Sequence, residues 1–173
     1  GDRVGDECLA PNFTNYTERP HLPDMNIGID GNFSGYRVMY LTYNITDNLR
    51  RGDNVAGLIV GNGWYNTNTE RWTADFGTPR MLCQIEIEYS DGTSETIVSD
   101  ESWLVKPSAI VYNDEYKGET YDARCETSGW CDVDCDLSSW ERAISRVAPT
   151  GKLVASYAPI DKVTERLAPV TIS

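Results

Sequence analysis

The segment Met81-Leu82-Cys83-Gln84-Ile85-Glu86-Ile87-Glu88-Tyr89 narrows the folds open to this chain more than any other. Ile85, Ile87 and Tyr89 alternate with Glu86 and Glu88, a period of two that a strand divides into an apolar and a polar face and a helix does not. Asp91-Gly92 then supplies a turn and residues 93–99 run back, which predicts a β-hairpin. Similar signals recur along the chain. Residues 36–45 are β-prone and predict a strand, with a bend at Thr46-Asp47-Asn48. The apolar run 55–61 predicts a short strand buried on both faces. Trp103-Leu104-Val105 and residues 109–112 continue the pattern around Pro107, and residues 153–157 and 163–172 predict closing strands. Residues 129–145 are expected to be irregular, with one helical turn near 139–144. Short strands between turns, with almost no helical periodicity, predict an all-β fold, a β-sandwich of jelly-roll type.

At 173 residues the chain is expected to form a single β-sandwich domain. Residues 1–35 are expected to be mostly loop, with Pro11, Pro20, Pro23 and Gly28 breaking any period, and residues 146–173 closing strands or a linker to a next domain. The first seven residues read like a hairpin cut at its tip, so a fragment of a larger multidomain protein is expected. A net charge of −12 repels phosphate backbones and anionic lipid headgroups, which argues against nucleic-acid and membrane partners. The absence of a long apolar run argues against a membrane span or signal peptide. Metal cations and neutral sugars remain as ligands.

Five cysteines, Cys8, Cys83, Cys125, Cys131 and Cys135, cannot all pair internally, and they assign no compartment. The spacings among the last three match no zinc knuckle, and the only histidine, His21, is remote. Cys83 lies in the strand pattern and is expected to be a small core residue. Asn12, Asn15, Asn32 and Asn44 each begin an Asn-x-Ser/Thr triplet, read here as turn chemistry.

Two stretches gather groups that bind ligands. In residues 112–124, Asn113, Asp114, Glu119 and Asp122 offer hard oxygens around Gly118, as a calcium ion or a sugar requires; a solvated acidic turn is the plain alternative. In Gly61-Asn62-Gly63-Trp64-Tyr65 a tight reversal leaves two aromatic rings on a rim. Each stretch follows an apolar strand, so both can project from one end of a sandwich. Trp64, Tyr65 and Tyr112 would supply the flat surface that a sugar's C–H face needs, and Asn62, Asn113 and Asp114 the hydroxyl partners. A core role for Trp64 is the alternative. For calcium, Asn113, Asp114 and Glu119 are the candidate ligands, outside any EF-hand spacing. Cys131-Asp132-Val133-Asp134-Cys135-Asp136 is a competing acidic cluster without the glycine. Asp114 with Glu119 is the best carboxylate pair for a glycosidase, but the number of acids identifies no pair.

Gly61-Asn62-Gly63-Trp64-Tyr65, the run from Gln84 through Ile85-Glu86-Ile87-Glu88-Tyr89 to Asp91-Gly92-Thr93, Asp100-Glu101-Ser102-Trp103 and Tyr116-Lys117-Gly118-Glu119-Thr120-Tyr121-Asp122-Ala123-Arg124 together resemble the N-terminal β-sandwich domain of bacterial α-L-rhamnosidases. The opening from Val4 to Pro11 and the bend from Tyr43 to Leu49 fit the same pattern, and the resemblance covers roughly residues 1–145. It implies a jelly-roll in a multidomain glycoside hydrolase whose catalytic acids lie on a separate (α/α)6 barrel. The domain would then be a non-catalytic accessory, with the other domains of the same chain as partners. Some such domains bind L-rhamnose with calcium, which implies Asn62, Asn113 and Asp114 as ligands, with Trp64 and Glu119 after them. The stretch 66–76 departs from the glycine-rich segment of the pattern. A purely structural domain packed on the barrel and an autonomous hydrolase are the alternative readings.

Overall fold

The computed structural model describes residues 1–12, 14, 16–17, 35–66 and 76–169. Their regular elements are strands, in chain order β1 (Glu7–Leu9), β2 (Arg37–Tyr40), β3 (Gln84–Glu88), β4 (Ser94–Val98), β5 (Leu104–Val105), β6 (Ile110–Asp114), β7 (Gly118–Tyr121), β8 (Glu141–Arg142), β9 (Lys152–Ala155) and β10 (Asp161–Lys162), with single 3-10 turns at Thr46–Asn48 and Ala123–Cys125. The all-β class follows from the period-two pattern. The chain divides into two compact units, one of Gly1 and Arg50–Val147, the other of Asp2–Leu49 and Ala148–Ser173.

The first unit holds three antiparallel ladders, β3–β4, β5–β8 and β6–β7. In β3, Ile85 and Ile87 turn inward while Glu86 and Glu88 face water, the division their alternation predicts. Asp91 shapes the β3–β4 connection: its Oδ1 accepts from the Thr93 amide at 2.9 Å and the Thr93 hydroxyl at 2.6 Å, and Gly92 takes φ +84. Tyr89, expected on the apolar face, is instead exposed just past the ladder and donates its hydroxyl to Glu95 Oε2 at 2.7 Å. That bond raises the tyrosine's pKa. Cys83 is half-buried, and burial pushes its thiol up.

Two further expectations fail in this unit. The helical turn near 139–144 is a strand end, because β8 pairs with β5 through Leu104↔Arg142 and the Ala143 amide donates to the Trp103 carbonyl at 2.8 Å. The run 55–61 is not a buried strand: Val55, Leu58, Ile59 and Val60 are 47, 48, 61 and 47% exposed, and no ladder includes them. An apolar run signals burial without naming its neighbour, and no described strand lies alongside to pair with it.

The second unit is closed by strands distant in sequence. β1 runs antiparallel to β10, with Lys162 Nζ 2.6 Å from Asp6 Oδ1 beside the ladder. β2 runs parallel to β9, placing Met39 opposite Val154. Tyr16 and Met39 are its buried apolar residues among those described. Gly151 must be glycine, since a Cβ there would stand 2.5 Å from the Tyr16 carbonyl oxygen that its amide bonds. The predicted strand 36–45 is thus shortened to four residues, and 153–157 starts one residue earlier as β9. The closing strand expected over 163–172 does not form in 163–169, where the pairing is made just upstream by β10. Residues 170–172, and the loop expected at 18–34, lie outside the described residues.

Candidate functional site

The site is built inside the first unit by a turn and a hairpin tip. In the turn, the Tyr65 and Asn66 amides both donate to the Asn62 carbonyl, at 2.9 and 3.2 Å, and Asn66 Nδ2 donates to Asn62 Oδ1 at 3.2 Å. Gly63 sits at φ +48, a left-handed conformation that costs a glycine little. The Phe76 amide returns to the Tyr65 carbonyl at 3.1 Å and brings a third ring alongside. Tyr65 and Phe76 stack with centroids 5.2 Å apart, and Trp64 meets both edge-on at 6.1 Å. All three rings are half-buried.

The hairpin tip is made by β6 and β7 in the register Tyr112↔Thr120, Asn113↔Glu119 and Asp114↔Gly118, with an irregularity between Ile110 and Tyr112. Asp114 closes it: Oδ1 accepts from the Tyr116 amide at 2.8 Å and the Lys117 amide at 3.0 Å, and Gly118 completes the reversal at φ +85. An aspartate held this way shapes the loop with one oxygen. Its other oxygen, Oδ2, is buried with no hydrogen-bond partner, on a residue only 5% exposed.

Asn113 joins the two pieces. Its Oδ1 accepts from the Asn62 amide at 2.6 Å and the Gly63 amide at 3.0 Å, and the Glu115 amide donates to the Gly63 carbonyl at 3.3 Å. Gly61 permits the approach, because a Cβ there would lie 2.9 Å from that same oxygen. The turn and the hairpin tip therefore lie side by side. Asn62 and Asn113 come together on the turn that carries Trp64 and Tyr65, and Asp114 follows Asn113 along β6 with its side chain bonded within its own tip. Tyr112 and Glu119 sit on the hairpin, both exposed. Alternation along β6 sends Asn113 and Asp114 to opposite faces, and direct pairing puts Glu119 on the Asn113 face.

Asp122 has a structural task. It caps the 3-10 turn through the Arg124 amide at 3.0 Å and grips the Arg124 guanidinium at 2.9 and 2.6 Å. Arg124 holds the Asp122 carboxyl below the ordinary carboxylate range. In the competing acidic cluster, Asp132 faces the Gly1 amino group at 3.5 Å and Asp136 accepts from the Ser138 amide at 2.9 Å. Among the described residues no three His, Cys, Asp or Glu side chains gather as a metal would need. Sequence reasoning missed Phe76, which carries no motif signal, and read Gly61 only as part of a reversal; a glycine immediately before an Asn-Gly turn can also mark a close approach.

Comparison with known proteins identifies the family of the chain. The model of the α-L-rhamnosidase N-terminal domain family matches residues 32–165. An α-L-rhamnosidase of Streptomyces avermitilis is 38% identical over 142 residues, 81% of this chain and 12% of its own length. One of Formosa agariphila is 34% identical over 148 residues, again 81% of this chain and 14% of its own. The structure of α-L-rhamnosidase from Dictyoglumus thermophilum superposes with TM-score 0.70 at 32% identity, covering 95% of this chain and 16% of that one. The Streptomyces avermitilis α-L-rhamnosidase complexed with L-rhamnose does so with TM-score 0.65 at 33% identity, over 86% of this chain and 13% of that one. The chain thus spans about a seventh of the length of these relatives. It belongs to the family of α-L-rhamnosidase N-terminal domains.

Proposed function

We propose that this chain is a non-catalytic accessory domain of an α-L-rhamnosidase, a β-sandwich of jelly-roll type that holds L-rhamnose or a rhamnose-containing glycan where the turn 61–66 meets the β6–β7 tip. The buried, unpartnered Asp114 Oδ2 carries the reading. A carboxylate oxygen left without a donor in a buried position is costly, and a hydroxyl donor or a cation removes that cost. The aromatic cluster on the adjoining turn offers an apolar wall, and Asn62 a side-chain amide on the same turn.

Calcium fits this setting in part. It takes roughly six to eight oxygens, and Asp114 Oδ2 is the protein oxygen best prepared for it; Glu119, expected as a further ligand, pairs with Asn113 and so lies on the other face of the hairpin. Asn113, expected as a ligand, spends its oxygen on two amides and so acts by holding the turn against the hairpin. Bound there, calcium would supply positive charge and open coordination positions for sugar hydroxyls.

Calorimetry with L-rhamnose tests the reading. Heat is expected with calcium and none with a chelator. Asp114→Asn keeps an oxygen for the Tyr116 and Lys117 amides, so it should stay folded while calcium affinity falls at least about tenfold, a difference of about 1.4 kcal/mol. Unchanged affinity would remove Asp114 from the site. No heat under either condition would leave a packing domain, the reading that the exposed apolar residues favour. Turnover of an aryl rhamnoside by this chain would place catalysis within it and overturn the accessory role.

A further inference from the structure

The run 55–60 contradicts its own composition. Val55, Leu58, Ile59 and Val60 are strand-forming residues with about half or more of their surface in water. None of residues 55–60 makes a backbone hydrogen bond among the described residues. The segment is nevertheless held at three points. Upstream, Asn54 ties the preceding turn, accepting from the Arg50 amide at 2.9 Å and donating to the Arg50 and Gly52 carbonyls at 2.8 Å. In the middle, Gly57 lies against the Trp130 ring so closely that a Cβ would be 2.4 Å from Cζ3. Downstream, the Asn62 and Gly63 amides are fixed on Asn113. The chain is thus anchored on both sides of a stretch whose own amides and carbonyls are unpaired among the described residues.

We infer that residues 55–60 are a docking edge that accepts an apolar β-strand from the part of a rhamnosidase-length polypeptide outside these 173 residues. Strand addition uses the exposed main chain for affinity and alternate side chains for specificity. Two considerations select that occupant over a second copy. The relatives are about seven times longer than their match to this chain, so the partner strand has ample sequence to come from. Two copies would each bring a net charge of −12, which opposes edge-to-edge pairing. An edge this apolar, left open, is also a self-association hazard that natural proteins cover. The inference takes its parent from the accessory-domain reading, but sugar binding can fail without touching it.

Amide hydrogen exchange tests it, comparing the 173-residue chain with the intact parent polypeptide. Peptides spanning 55–60 should exchange near the free-chain rate in the isolated chain and at least ~100-fold more slowly in the parent. In the parent, Leu58→Lys with Ile59→Lys should abolish that protection and leave β3–β4 exchange unchanged, since both side chains already face water here. Equal exchange in both contexts would overturn the inference. So would protection in the dilute isolated chain, which would mean an internal partner, or protection that rises with its concentration, which would assign the edge to a second copy.

Discussion

A single oxygen, Asn113 Oδ1, holds two amides that would otherwise be part-buried and unpaired. Asn113→Ala should therefore lower stability by about 1–3 kcal/mol, the cost of stranding donors rather than the worth of one bond. Asn113→Asp keeps the acceptor and should retain most of it. Urea midpoints at constant slope would check both, and equal midpoints for Ala and the parent residue would show that water replaces the acceptor. Asp114 shows a different division of labour within one side chain: one oxygen builds the loop, the other is left over. The sequence makes the candidacy of both residues legible as an oxygen-rich segment around a glycine. It does not reveal that the Asn113 oxygen is consumed by the fold, because the amides that take it lie some fifty residues away.

At the level of elements, the glycines separate local from long-range constraint. Gly118 has positive φ and open space around it, so Gly118→Ala should cost about 1 kcal/mol through backbone strain alone. Gly61 has room for a side chain only if Asn113 moves, so Gly61→Ala should disturb the site as well. Comparing thermal midpoints with Trp64 fluorescence distinguishes them: Gly118→Ala should shift only the first, and Gly61→Ala both. The β3–β4 hairpin is legible apart from its ends, where Tyr89 falls past the ladder, because its partners are adjacent and its alternation sets its register. The run 55–61 departs from the buried strand its composition predicts because apolar content reports a tendency to be covered, not what covers it. Short ladders such as β5–β8 and β2–β9 leave too few residues to show a period, and their partners are remote.

Across the whole molecule, charge and apolar exposure oppose each other. A net charge of −12 keeps copies apart at neutral pH, while many large apolar side chains face water. As pH falls toward the isoelectric point near 4.4, ordinary carboxylates protonate and the repulsion fades. Asp91, Asp100, Asp122 and Asp136 are held below the ordinary range by bonds from Thr93, Ser102, Arg124 and Ser138. A depressed carboxylate stabilises the fold above its unfolded value, and that contribution is lost only as pH falls through the lower folded value. Self-association should accordingly precede unfolding on acidification, with light scattering rising near pH 4.4 while far-ultraviolet dichroism stays native. Dichroism lost first would reverse that order.

The ladders β1–β10 and β2–β9 give the chain a timetable. Both join residues 7–40 to residues 152–162, so neither can form until that later stretch has left the ribosome. The intervening hairpins close from neighbours and can assemble during synthesis. The early segment must wait, its strands single, until its late partners arrive.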